Sequence, residues 1–483
     1  MLAAFVAAYL LISIGIGFIA ARKVNNTADF ALAGQSLPLA VVVATTFATW
    51  FGSETVLGVP AKFIEGGLGA TIEDPWCTSM ALVIVGAFLA RKLYPMPLLT
   101  IGDFYRQRYS RAIELLASIT ICISYIGWVA AQVTALGLMF SELMPGSITT
   151  IQGMIIGTVV VLIYTVLGGM WSVALTDFVQ MAVIIVGLIA IAIFSANLAG
   201  GVQPVVEYAS EQGMFSLRPH GNWKEFFFFL APCVSLLIGS IPQQDVFQRV
   251  MAAKDVKTAT RGPIIGGLGY LLFAAVPVFI VLAAVIVMKE EGAAIVADDT
   301  QKLLPRFVMT HMPQALQVLF FGALLSAIMS TASATVLAPA TVLVQNIIKA
   351  VVPKMKDRTE LILMRVAVFT VAITVMIYAI LMDGTSIYEL VASSYEATVV
   401  GAFVPLIAGL FWKRASNTGA LFSVVGGLGT WLFFLLSPYF MDDPIGEKFP
   451  GVIAGLGVAL VGMVVGSLIR PAAPGDEIMP ATA

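Results

Sequence analysis

The chain has 483 residues, 59% of them hydrophobic and 11% charged, and its formal net charge is −2. Soluble domains carry about 25% charged residues; a mean hydropathy of +0.96 and apolar runs of about twenty residues throughout mark a polytopic membrane protein. A soluble enzyme, a disulfide scaffold, a nucleic-acid binder and a disordered chain are excluded.

The first apolar segment covers 2–21. No positive charge precedes it, whereas Arg22 and Lys23 follow it. That order is the reverse of a secretory signal, and it sets the N-terminus outside. Twelve further stretches follow, at 37–64, 77–94, 112–143, 150–171, 176–199, 223–242, 263–288, 315–349, 361–382, 386–412, 416–438 and 450–469. The chain is therefore expected to be an all-α protein of about thirteen transmembrane helices. Of its 26 Lys and Arg, only Lys62, Arg218, Lys224, Lys289, Lys302, Arg306 and Lys448 fall in the predicted outer parts. The rest, Arg249 among them, fall inside, as the positive-inside rule requires, and the C-terminus is cytoplasmic. The outer connections near 200–222, 289–314 and 439–449 hold no domain, so 1–483 reads as one transmembrane unit. With Ala483 about a dozen residues beyond the last helix, no kinase module is expected to be attached.

Two predicted helices are unusual inside. The second holds Gly52, Gly58 and Pro60 among Trp50, Ser53, Glu54 and Thr55; the ninth holds Ser326, Ser330, Thr331, Ser333, Thr335 and Pro339. Both are expected to be interrupted, because Gly and Pro free backbone carbonyls that need partners. Interrupted helices form ion and solute sites near the midplane of secondary transporters. Small residues that simply let helices pack closely are the competing explanation.

Charges in the bilayer cost about 2.5–3.5 kcal/mol each on insertion scales, which makes Glu54, Asp177 and Glu396 candidates for function. Glu73 and Asp74 fall at an outer mouth. Asp177 has a second reading, as a solvated acid favoured by a helix N-terminal dipole. Glu54 needs a partner: a cation, a proton or a hydroxyl. Trp50 and Trp128 lie deep, where their faces can hold a cationic ligand or pack a core; Trp76 suits an interfacial belt. Cys77, Cys122 and Cys233 read as small buried hydrophobes, and His220 and His311 fall in polar connections. Zinc, haem and iron–sulfur chemistry thus has almost no ligands. Sodium wants hard oxygens, and Ser330, Thr331 and Ser333 share a helix face. Backbone carbonyls of Ala48 and Phe51 could join them at a broken second helix, as could Ala327 on the ninth.

At these residues the chain resembles the sodium/solute symporter family. The likeness runs over nearly the whole chain and includes "YTVLGGMWSVALTDFVQ" at 164–180, "PQQDVFQRV" at 242–250, "SAIMSTASA" at 326–334 and "GLFWKRASNTGALFSVVGG" at 409–427. It implies a LeuT-type fold. Segment 37–199 (helices two to six) and segment 223–412 (seven to eleven) would form two inverted repeats, with 1–36 before them and two helices in 413–483. It also implies Na⁺ as the coupling ion and solute import by alternating access, with no enzymatic activity. The implied Na⁺ site is the backbone of Ala48, Phe51 and Ala327 with the hydroxyls of Ser330 and Thr331. A second Na⁺, held in some members, would use Asp177 and Ser333, but Ala334 replaces one of its ligands.

The local pattern is similar to the choline transporter branch, through "TTFATWFG" and "YIGWVAA"; Gln243 stands where choline carriers have another tryptophan. The expected solute site is Trp50, Gly52, Glu54, Thr55, Trp128 and Gln243. The expected solute is a small cationic or zwitterionic amine, choline-like or betaine-like. A proline-like amino acid or a carboxylate is the alternative, although no arginine stands at position 128 to hold an anionic sugar acid. A membrane sensor module, with a partner protein in trans, and an H⁺-coupled carrier using Glu54 are readings of another class. The expected location is a bacterial-type inner membrane.

Overall fold

With no water in the bilayer core, every backbone N–H and C=O must pair within the protein, and helices do this locally. A computed structural model of the chain describes residues 2–144, 146–217, 221–382 and 384–471, and every regular element among them is helical. Arg218 and His220 lie outside the described residues, as does the tail 472–483. The chain runs through α1 (Leu2–Ala21), α2 (Leu39–Trp50), α3 (Glu54–Gly66), α4 (Leu68–Leu93), α5 (Arg111–Leu143) and α6 (Thr150–Leu198). It continues through α7 (Trp223–Gly239), α8 (Gln244–Ala252), α9 (Val256–Phe273), α10 (Ala275–Asp299) and α11 (Gln314–Val342). The last four are α12 (Asp357–Leu381), α13 (Ile387–Phe411), α14 (Asn417–Leu436) and α15 (Gly451–Ile469).

Among the described residues, 11 helices are long and apolar enough to cross a membrane, or 12 if the bent pair α2 and α3 is one span. The expected thirteen would require α6 to cross twice. Its 49 residues would extend about 74 Å, against a hydrocarbon core of about 30 Å. The backbone breaks at Gly169, with φ of 50°. A Cβ there would stand 2.4 Å from the Phe30 carbonyl oxygen, so the corner needs glycine on both counts.

The expected interruption at Gly52 is present: α2 ends at Trp50, α3 starts at Glu54, and the two axes diverge by 55°. The one expected in the ninth helix is absent. Helix α11 is continuous through Ser326 to Pro339, because its hydroxyls return to their own backbone. Ser326 donates to Gly322 O at 2.7 Å, Thr335 to Thr331 O at 2.7 Å and Ser333 to Ser330 O at 2.9 Å, a pattern compatible with a helical ladder. The second break lies instead at Ser240–Gln243, between α7 and α8. Pro242 has no N–H to continue α7, and the span runs on to Ala252. This corrects the expected end at 242. It also moves Arg249 from an inner connection to the interior, where it is 1% exposed.

The two broken spans are tied end to end. Leu37 N donates to Ala252 O and Lys254 N to Leu37 O, both at 3.0 Å. Helix α9 packs along α2, its Gly262 and Gly266 lying against Val42 and Thr46 so closely that a Cβ would meet them at 2.4 and 2.9 Å. Small residues serve helix contact there as they do elsewhere in membranes. The connection 289–314, expected to be an outer loop, is not a plain loop: α10 continues past Lys289 to Asp299, and Leu303–His311 forms another helix.

Candidate ion and solute site

The break between α2 and α3 leaves the backbone N–H of Ser53 without a helical partner. Gln132 of α5 accepts from it at 3.0 Å through Oε1 and donates through Nε2 to Glu54 Oε2 at 2.8 Å. Trp128, one turn earlier, donates Nε1 to Glu54 Oε1 at 3.2 Å. Glu54 is 4% exposed, so its carboxylate is held by two neutral donors. Gly52 allows this approach: a Cβ there would lie 2.5 Å from Glu54 Oε2 and 2.6 Å from Thr331 Oγ1. The glycine thus stands between the carboxylate and the hydroxyl of α11. Thr55 Oγ1 lies 3.0 Å from the Tyr270 hydroxyl, which donates to the Asp74 carboxylate. Asp74 and Glu73, expected at an outer mouth, are both buried. Glu396 accepts from Trp431 Nε1 of α14 at 2.8 Å and so is bonded to another helix rather than to this group.

Four rings gather beside Glu54. Trp50 and Trp128 have centroids 5.0 Å apart, and Tyr395 of α13 lies 6.1 Å from the first and 5.6 Å from the second. Tyr125 stacks on Trp128 at 6.1 Å. Trp50 Nε1, Ser53 Oγ and the Tyr395 hydroxyl are buried without a hydrogen-bond partner. Buried polar atoms are nearly always paired, so three orphans around one aromatic cluster mark a place that accepts a polar ligand or water. Gln243, at the start of α8, is instead bonded to α5: its Nε2 donates to Ser124 Oγ at 3.0 Å.

The expected sodium ligands fall into two neighbouring groups. Thr331 Oγ1 donates to Thr49 O at 2.8 Å and reaches Ala48 O at 3.5 Å, tying α11 to the last turn of α2. Phe51 is the residue just past the end of α2, and Ala327 is buried one turn before Thr331. Ser330 donates to Asp177 Oδ1 at 2.7 Å, and Thr45 to Asp177 Oδ2 at 2.5 Å. Asp177 is fully buried, which sets aside its reading as a solvated helix-end acid. Ser333 turns to its own helix backbone. Beside this group Arg249 donates to Thr49 Oγ1 at 2.6 Å and to Asp245 O at 2.9 Å. Tyr125 closes the strip by donating to Asp245 Oδ1 at 2.5 Å. Hydroxyls, carbonyls and one carboxylate are the donor set that suits a hard monovalent cation.

A model of the sodium:solute symporter family matches residues 30–427. The chain belongs to that family. It is accordingly a transporter of small solutes, not an enzyme. It is 26% identical to the high-affinity choline transporter 1 of Caenorhabditis elegans over 414 residues, 83% of this chain and 70% of that protein. It is 27% identical to the high-affinity proline transporter PutP of Bacillus subtilis over 91% of this symporter and 93% of that one. Its fold matches a Na⁺-coupled sialic acid symporter in a substrate-bound outward-open state, at a TM-score of 0.82 and 18% identity, covering 99% of each chain. Within that LeuT-type fold, Gln132, Tyr395, Tyr270 and the pair Asp245 and Arg249 join the site without having been singled out from sequence.

Proposed function

We propose that this symporter couples Na⁺ entry to uptake of a small cationic or zwitterionic amine across a bacterial-type inner membrane. Na⁺ binds where α2 breaks, among the carbonyls of Ala48, Phe51 and Ala327 and the hydroxyls of Ser330 and Thr331. Asp177, compensated by Arg249 nearby, is the candidate for a second cation, and Ser333 is the weaker member of that set because its hydroxyl is already bonded to Ser330 O. The amine is held against Trp50, Trp128 and Tyr395, with Glu54 as its counter-charge and Gly52 and Thr55 forming the wall of the break. Gln243 supports α5 through Ser124 rather than completing the cage.

One observation carries the solute class: a buried carboxylate bonded only to neutral donors, next to aromatic faces and three unpartnered polar atoms. An ammonium supplies the missing charge through cation–π contact and Coulomb attraction. A hydroxyl or carboxylate on the same ligand would pair with Trp50 Nε1, the Tyr395 hydroxyl or Ser53 Oγ. The choline and proline relatives are consistent with this class. A thermal-shift screen of choline, betaine and proline, each with NaCl or KCl, tests the reading. A shift that appears only with sodium and one of these amines supports it; with glucose and succinate run alongside, shifts with those two alone would overturn it.

A further inference from the structure

Cys77 of α4 and Cys233 of α7 bring their sulfurs within 2.8 Å of each other. Both are half-buried free thiols. The third cysteine is elsewhere: Cys122 of α5 faces Pro339 O at 3.6 Å. A disulfide bond is about 2.05 Å long, so the pair needs a movement of under ~1 Å to close. A shared metal ion fits less well. Zinc–sulfur bonds of about 2.3 Å at a tetrahedral angle hold two sulfurs about 3.8 Å apart. Among the described residues no group of three His, Cys, Asp or Glu could complete such a site.

Each cysteine sits in the outer half of its span by the topology read from Lys and Arg. Cys77 falls in the first half of Leu68–Leu93 and Cys233 in the first half of Trp223–Ala252, and both spans descend from outer connections. The outer face is where thiols meet oxidising conditions. We propose that Cys77 and Cys233 form a reversible disulfide when a small-molecule disulfide, such as oxidised glutathione, reaches them. One cysteine attacks as the thiolate, forming a mixed disulfide and releasing one glutathione thiol. The second thiolate then displaces the other glutathione. The protein pair loses two electrons and two protons, and the oxidant is reduced to two thiols. The product ties α4 to α7 covalently, beside Asp74 on one helix and above the Ser240–Gln243 break on the other. The proposal is independent of which solute is carried.

The test is intact mass of the purified full-length protein after exposure to oxidised glutathione, followed by mapping of the linked peptides. Oxidised wild type should be lighter than the reduced chain by two hydrogens, carry no glutathione and yield a peptide joining Cys77 to Cys233. Cys77→Ser and Cys233→Ser should never show the two-hydrogen loss. A wild-type mass unchanged by the oxidant, one carrying glutathione on both cysteines, or a link through Cys122 would overturn the proposal.

Discussion

At the scale of single residues, Glu54 and Gly52 stand where the proposed ion and solute sites adjoin. Replacing Glu54 by Gln removes the charge and turns an amide NH2 toward one of the two donors, Trp128 Nε1 or Gln132 Nε2. Bonds to a charged group are worth about 1.5–3 kcal/mol, so Glu54→Gln should raise the KM for the amine by roughly tenfold or more. Sodium affinity should change far less; an equal loss of both would show that Glu54 is a sodium ligand. Gly52→Ala is expected to be more severe for transport than for folding. Its methyl would displace Glu54 and Thr331 together, at a cost of about 1–3 kcal/mol for overpacking. Uptake assays paired with thermal unfolding distinguish the two effects.

Some of this was readable in the chain and some was not. A carboxylate in mid-helix announces itself, as do glycines in an apolar run; hence Glu54, Asp177 and Gly52. Gln132 and Tyr395 carry no such signal, because an amide or a phenol in an apolar helix is ordinary until its neighbours are known. Arg249 was misread for a physical reason: a basic residue after a predicted helix end normally marks cytoplasm, but here the helix restarts at Gln244 and carries it into the core.

At the scale of elements, glycine corners and broken helices shape the site. The break in α2 could be anticipated from Gly52, Gly58 and Pro60. The continuity of α11 could not, since Ser and Thr either bend a helix or bond back into it, and only the structure shows the second. The Gly169 corner of α6 gives a direct check. Gly169→Ala combines a left-handed φ with contact at the Phe30 carbonyl, and should destabilise the protein by about 1–2 kcal/mol from the backbone alone. A melting temperature equal to wild type would refute that account of the corner.

The N-terminal end of α9 offers a pH test outside the membrane-spanning segments. Asp255 caps the helix, accepting from Thr258 N at 2.7 Å, and that bond holds its carboxyl below the usual carboxylate value. A lowered folded value means the cap stabilises above the unfolded value of about 3.9 and is lost as pH falls through the folded one. The deficit of Asp255→Ala should therefore be full at neutral pH and shrink in acid as the charged cap is protonated, whereas Asp255→Asn, an uncharged cap, should show a small deficit at neutral pH that also disappears in acid. Thermal unfolding across pH measures both.

At the scale of the whole molecule, the two broken spans are joined at Leu37 and Ala253, and α11 bridges them to Asp177. A cation bound between α2 and α11 therefore acts on the helix whose other half carries Glu54. That linkage is the proposed basis for coupling, since a ligand shifts a conformational equilibrium only through its differential contacts with the two states. The helical, membrane-spanning pattern was legible from composition and period. The coupling was not, because it depends on contacts between segments more than a hundred residues apart. Uptake of choline, betaine and proline into proteoliposomes tests the central claim, comparing an inward Na⁺ gradient with an inward K⁺ gradient for wild type and Thr331→Ala. The account predicts concentrative uptake of one of these amines by wild type under the Na⁺ gradient and its loss in Thr331→Ala. Equal uptake under the K⁺ gradient would contradict it.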